Sequence, residues 1–204
     1  MVVYPENLDL TIYQGRTFQH VVRWETLPVV YKSITNITQT APGTITAAGH
    51  GLVTGWPVAV TDAVGMVEIN AKRDTPSLRD YHAVTVVDTN TVTFNDTSAA
   101  GFSPYISGGY LRYNTPKDLS GAVARMDLRD RVGGALLLSL TSPSGGIVVD
   151  NTNHTITITV TAAITTLMTY KKAVYDLEVQ ASDGTVSVLL AGSVTVIPEV
   201  TTSV

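Results

Sequence analysis

The sequence predicts an all-β protein, a β-sandwich interrupted at an early loop by a smaller β domain. Three observations carry this. Short alternating apolar–polar segments recur with turn residues between them at roughly 8–12-residue spacing, the pattern of a sandwich or barrel. Only 15% of the 204 residues are charged, against a usual share of about 25%, and Thr, Val, Ser and Gly take up much of the difference. Branched β-carbons of Thr and Val suit half-buried pleated surfaces. Finally, the strands that begin the chain resume only after Asp118, and the stretch between has its own rhythm.

The elements follow in order. Leu8, Leu10 and Ile12 alternate with Asp9, Thr11 and Tyr13, as in a strand covered on one face. Gly15 permits a turn before a second strand over 18–24, and residues 29–31 offer a short third. The interrupting region opens at Ile34 and gives strands over 43–46, 56–61, 81–87 and 91–94, the last two joined by a turn at Asp88-Thr89-Asn90. Residues 99–109 read as a Gly- and Ser-rich loop with aromatic rings, and 110–113 return the chain to where the region opened. Beyond Pro116, strands are expected over 122–129, 136–140, 146–150 and 155–160. Residues 162–168 form the one plausible helix, too short to stand alone. Strands over 173–180 and 185–191 flank Asp183-Gly184, a strong hairpin signal, and 192–198 supply the last strand or its extension. An immunoglobulin-like sandwich of residues 1–33 plus 114–204, with a small β-barrel-like domain at 34–113, fits this order best.

Composition narrows the function. A formal net charge of −4 and no run of Lys or Arg longer than a pair such as Lys72-Arg73 argue against nucleic acid, whose binders carry a basic face. There is no cysteine, which excludes disulfides, thiolate chemistry and cysteine-ligated metals. No window approaches the ~18 apolar residues of a membrane helix, so no membrane contact is expected. The first residues lack the basic start and apolar core of a secretory leader, so synthesis in a cytoplasm is expected. Without that leader, the sequons at Asn36, Asn95 and Asn153 carry little meaning.

Catalytic constellations are weak. His20, His50, His82 and His154 show no metal-ligand spacing. His50 sits between Gly49 and Gly51 and reads as a residue that caps or stacks locally. Asp176 and Glu178 lie two apart on one strand face, which a glycosidase could use, but they also form the ordinary solvent face opposite Tyr175, Leu177 and Val179. Asp127, Asp130, Arg125, Arg129 and Arg131 read as surface pairing or subunit contact. No G-x-S-x-G elbow, phosphate loop or dinucleotide fingerprint occurs. The sequence therefore reads as non-enzymatic, with no catalytic residue, no metal and no cofactor. Its candidate contact residues are Phe102, Tyr105, Tyr110 and Tyr113, with Tyr81 beside them, because aromatic side chains anchor interfaces.

Two resemblances follow from particular stretches. Residues 45–55 (Ile45 through His50 to Gly55), 65–70 (Gly65-Met66-Val67-Glu68-Ile69-Asn70) and 84–94 (Val84 through Asp88 to Phe94) resemble a small β domain first named in ubiquitin-activating enzymes, after their catalytic-cysteine half-domain, that recurs in phage tail proteins. The absence of cysteine excludes ubiquitin chemistry. Residues 10–18 with Trp24, 118–121 with Ala124-Arg125-Met126, and Tyr175-Asp176-Leu177-Glu178 resemble tailed-phage structural proteins with an immunoglobulin-like or baseplate-protein-like domain. These resemblances imply a virion structural protein of the tail, baseplate, collar or fibre-attachment region, made in the bacterial host cytoplasm. Its partners would be other virion proteins and further copies of itself by virion symmetry. The sandwich would dock on the virion. The chain stops at Val204, soon after the sandwich, which favours an adaptor, collar or decoration role over receptor binding. The alternatives are a capsid cement protein and a carbohydrate-binding adhesion module. The 99–109 loop and both terminal segments are the expected subunit contacts.

Overall fold

The structure, a computed structural model, describes residues 6–200. The terminal segments proposed as contacts lie partly outside those residues. Among the described residues the protein is all-β with one short α-helix and two 3-10 turns, and it divides into two compact units. One comprises the described residues up to Trp24 and from Lys117 onward; the other is Glu25–Pro116.

The first unit is an immunoglobulin-like sandwich. One sheet contains β1 (Glu6–Asn7), β2 (Leu10–Tyr13), β11 (Val123–Arg129), β12 (Leu136–Thr141), β15 (Lys172–Gln180) and β16 (Val186–Ile197). Its order is β1-β16-β15-β11-β12, and β2 also runs parallel to β16, with Val194 opposite Leu10. β1 and β2 are thus one interrupted edge strand. At the break Asp9 Oδ1 accepts from the Ser193 amide (2.9 Å) and hydroxyl (2.7 Å). The facing sheet is β13 (Ile147–Asp150), β14 (Thr155–Val160) and β3 (Phe18–Arg23). Alternation explains each strand: β14 buries Ile156, Ile158 and Val160 and turns its threonines outward. β15 buries Ala173, Tyr175, Leu177 and Val179. Immunoglobulin domains join their sheets by a disulfide packed on a tryptophan; here aliphatic side chains such as Val22, Met126 and Leu177 share one core instead. The helix α1 (Ala162–Thr166) is a little over one turn. β16 runs unbroken through Gly192, so residues 192–197 extend the preceding strand, the second of the two expected alternatives.

The second unit lies in the chain between β3 and β11. It contains β4 (Glu25–Ser33), β5 (Asn36–Ile37), β6 (Gly43–Thr46), β7 (Pro57–Val64), β8 (His82–Asp88), β9 (Thr91–Phe94) and β10 (Ser107–Pro116). The sheet order is β4-β10-β7-β8-β9-β6-β5. Its two edges belong to one stretch of chain. The Ile34 amide donates to Gly109 O and the Thr35 amide to Thr46 O, both at 2.9 Å. The first half of that stretch therefore borders β10 and the second borders β6, and the sheet curls into a small barrel. Positive φ at Asp62, Gly108 and Gly109 lets β7 and β10 bend sharply where they pair. Trp56, Phe94, Met66 and Leu111 fill the interior.

This unit begins nine residues before, and ends three residues after, the expected 34–113. The reason is pairing: residues 25–33, expected in the sandwich, form β4 and run antiparallel to β10 from Tyr110↔Ser33 to Pro116↔Glu25.

Candidate functional site

The four aromatic candidates divide by burial. Tyr113 is 2% exposed in the barrel core and its hydroxyl donates to His50 O; burial pushes its phenol up to about 12. It is a core residue and cannot serve as a contact. Phe102 is half-buried against the same core, and its carbonyl accepts from Gln39 Nε2 at 2.7 Å. Tyr105 is also half-buried, its hydroxyl 3.0 Å from Ile34 O and 2.9 Å from Gly108 O; burial raises its pKa. These two hold the 99–109 loop in shape. Tyr110, 41% exposed, faces outward.

What the loop presents is apolar and aliphatic. Ile106 is 72% exposed, and Val64 and Val67 are each at least half exposed. The Ile106 amide donates to Val64 O at 2.8 Å, bringing the loop against the end of β7. Glu68 Oε1 accepts from the amide (3.0 Å) and hydroxyl (2.8 Å) of Ser103. Its own backbone amide, and then Ser103, hold that carboxyl below the usual range. Exposed Val64, Val67, Pro104 and Ile106 therefore form a tip whose backbone is fixed from several sides. The sequence reading missed it by weighing aromatic rings alone. A signal existed: Val64 and Val67 flank Gly65, a residue that bends chain away from a sheet.

A second surface gathers on β4 and β10. Tyr31, 54% exposed, lies opposite Arg112 in the pairing of these strands. Arg112 Nε donates to Tyr31 Oη at 3.0 Å and Nη1 to Tyr81 Oη at 3.1 Å. The Tyr110 ring meets Tyr31 edge-on, with centroids 6.1 Å apart and planes at 88°. Tyr81, read as a contact candidate, is thus a support for Arg112. Beside Tyr31 opens a cleft of about 390 Å³ lined by Thr61, Asp62, Lys72, Arg73 and Asp74 as well as Arg112.

The histidines are engaged locally. His50 is buried; the Leu52 amide donates to its Nδ1 at 3.0 Å, so Nε2 carries the proton and donates to Asp88 O at 3.0 Å. It caps the Gly49–Gly51 turn. His82 Nδ1 lies 3.0 Å from both Asp96 carboxylate oxygens, and its ring stacks on Phe94. His154 Nδ1 meets Lys117 O at 2.9 Å. Among the described residues no group of three or more acidic or histidine side chains is placed to hold a metal ion.

Asp176 and Glu178 stand on the outer face of β15. Arg125 pairs with Glu178 at 2.5 Å, and Arg129 with Asp127 at 2.8 Å. Asp176 lies directly across from Asp127; desolvation, then Glu178 and Asp127, raise its pKa. The pair thus consists of one carboxylate tied to an arginine and one crowded by like charge.

No helix among the described residues is long and apolar enough to cross a membrane. No protein-family model matches the chain, and no curated protein matches it.

Proposed function

We propose that this chain is a non-enzymatic structural protein of a tailed-phage virion. In this reading it is an adaptor in the tail, baseplate, collar or fibre-attachment region, synthesised in the bacterial host cytoplasm. It works through protein–protein contacts with other virion proteins and with further copies of itself. The sandwich is the anchoring body and the barrel is an added contact module.

The observation that carries the reading is the apolar tip of the barrel. Four exposed apolar residues, Val64, Val67, Pro104 and Ile106, sit on backbone fixed by the Glu68–Ser103 bonds, the Ile106–Val64 bond and the Tyr105 hydroxyl. Binding favours groups already ordered, because less conformational freedom is lost on contact. The stretches that resemble the phage β domain overlap particular elements: residues 45–55 supply the end of β6 and the His50-capped turn, and 84–94 most of the β8–β9 hairpin.

The test uses purified virions of the phage that encodes the chain. The protein is expected there as a stoichiometric component by mass spectrometry, and its absence would overturn the reading. Val67→Asp with Ile106→Asp, at exposed positions, is expected to change stability by no more than about 0.5 kcal/mol each. The same pair is expected to remove the protein from the particles. Normal incorporation of the doubly substituted chain would show that the tip is not the contact.

A further inference from the structure

We propose that the cleft beside Tyr31 in the barrel unit binds a saccharide, and that its ligand is a sugar unit bearing a carboxylate, such as a uronic acid residue of a surface polysaccharide.

The geometry supplies the two halves of a sugar site. Sugar rings present a C–H face and a rim of hydroxyls, so they bind where an aromatic wall stands beside mixed donors and acceptors. Tyr31 is the wall. It is more than half exposed, yet its ring is held by the edge of Tyr110 and by the Arg112 hydrogen bond to its hydroxyl. The cleft volume of about 390 Å³ falls within the ~300–1,000 Å³ of small-molecule sites. Asp62 and Asp74 offer acceptors for sugar hydroxyls, and Lys72 and Arg73 offer donors. Thr61, which also lines the cleft, has a buried Oγ1 with no hydrogen-bond partner in the protein. A buried hydroxyl without a partner costs roughly 1–3 kcal/mol, so the wall of the cleft carries an unmet polar group. Asp62 holds a left-handed backbone conformation with φ of 59°, a strain that tends to occur at binding sites.

Charge selects the kind of sugar. Of the charged side chains lining the cleft, Lys72, Arg73 and Arg112 outnumber Asp62 and Asp74 by one. Lys72 also acts on Glu68 and Arg73 on Asp80 outside it, so a ligand carboxylate would compete for those two cations and meet Arg112 directly. The two carboxylates also count against a nucleic-acid strand, because phosphodiester chains bind surfaces that are basic throughout. An aromatic ring with an ordered arginine suits a planar carboxylate next to a ring.

The experiment is a titration of the full-length ¹⁵N-labelled protein with four probes: oligogalacturonate, a neutral oligosaccharide, inorganic phosphate and a glutamate-rich peptide. Oligogalacturonate is expected to shift the amides of Thr61, Asp62, Lys72 and Arg73. Tyr31→Ala and Arg73→Gln are each expected to weaken that binding by about tenfold, while Tyr13→Ala, an equally exposed tyrosine of the other unit, leaves it unchanged. No shift at the cleft would overturn the proposal. So would equal binding of the neutral sugar, an equal response to phosphate alone, tighter binding of the peptide, or undiminished affinity in Tyr31→Ala. Failure here leaves the adaptor reading standing, since that rests on Val67 and Ile106.

Discussion

Asp80 shows how one carboxylate can order a long loop. Its Oδ1 accepts from the Lys72 amide at 3.0 Å, and its Oδ2 from the amide and hydroxyl of Ser77, both at 2.7 Å. The Lys72 amide first, then Ser77, hold this carboxyl at about 2, against a usual 3.8. A depressed folded pKa means the ionised form is the one the fold prefers. Its contribution is therefore complete above the unfolded value and is lost as pH falls through the folded one. Asp80→Asn leaves a single acceptor oxygen, so at pH 7 the Lys72 and Ser77 amides are expected to exchange hydrogen faster than in the parent. The difference should shrink from about pH 4 downward and be largely lost once pH falls below about 2; a gap at pH 2 as large as that at pH 7 would contradict this role. Side-chain roles of this kind were only partly legible in the sequence. The Gly-His-Gly spacing pointed to a local role for His50, as a cap or a stacking ring, and the ring nitrogens show that it is the cap. Nothing local marked Tyr113 as core and Tyr31 as surface. Their exposure depends on which residues of β4 and β10 face inward, a matter of register between segments far apart in the chain.

Strands were the most legible elements, because burial on one face enforces a period of two. The alternation of Ala124, Met126 and Leu128 against Val123, Arg125 and Asp127 is reproduced in β11, and β9 and β14 keep the expected bounds. The allegiance of β4 was not legible, since a strand's sequence records that one face is covered but not which partner covers it. Nor was the bend that curls the barrel. Gly109 lies at that bend with φ of 87°, and a Cβ there would stand 2.9 Å from Ala63 Cα. Gly49 also has positive φ, at 58°, but no atom lies within 4 Å of its would-be Cβ. Alanine at either site meets a left-handed backbone cost of about 1–2 kcal/mol. Only at Gly109 does crowding of backbone add to it, by about 1–3 kcal/mol. Thermal unfolding is thus expected to rank Gly109→Ala well below Gly49→Ala. For a unit of this size each 1 kcal/mol moves the midpoint by about 4–8 °C. Equal midpoints for the two variants would mean that the β7–β10 bend tolerates a side chain.

At the scale of the whole molecule the question is whether the barrel is a removable module, and the junction answers it in favour of removal at Trp24 and Lys117. The Lys117 amide donates to Trp24 O at 3.0 Å and the Trp24 amide to His154 O at 3.3 Å. His154 Nδ1 meets Lys117 O, and Lys117 Nζ lies 5.7 Å from the centre of the Trp24 ring. Where the chain leaves and rejoins the sandwich, its two ends are thus already hydrogen-bonded neighbours, so a two-residue Asn-Gly turn is enough to join them. Replacing Glu25–Pro116 in this way is expected to give a chain that unfolds in one cooperative step. Trp24, the only tryptophan then remaining, is buried in the sandwich core and would keep the fluorescence of a buried indole. Removing residues 34–113 instead takes away the β10 partners of Val30, Tyr31, Lys32 and Ser33 and leaves only 25–29 able to pair with 114–116. The stretch from 25 to 33 carries Leu27, Val29, Val30 and Tyr31, and its apolar end becomes an open strand edge of the kind that drives edge-to-edge association. The second deletion is expected to aggregate at concentrations where the first stays monomeric by light scattering. If the two deletions behave alike, or if the Trp24–Lys117 fusion shows solvent-exposed tryptophan emission, the barrel is not a module set into a self-sufficient sandwich.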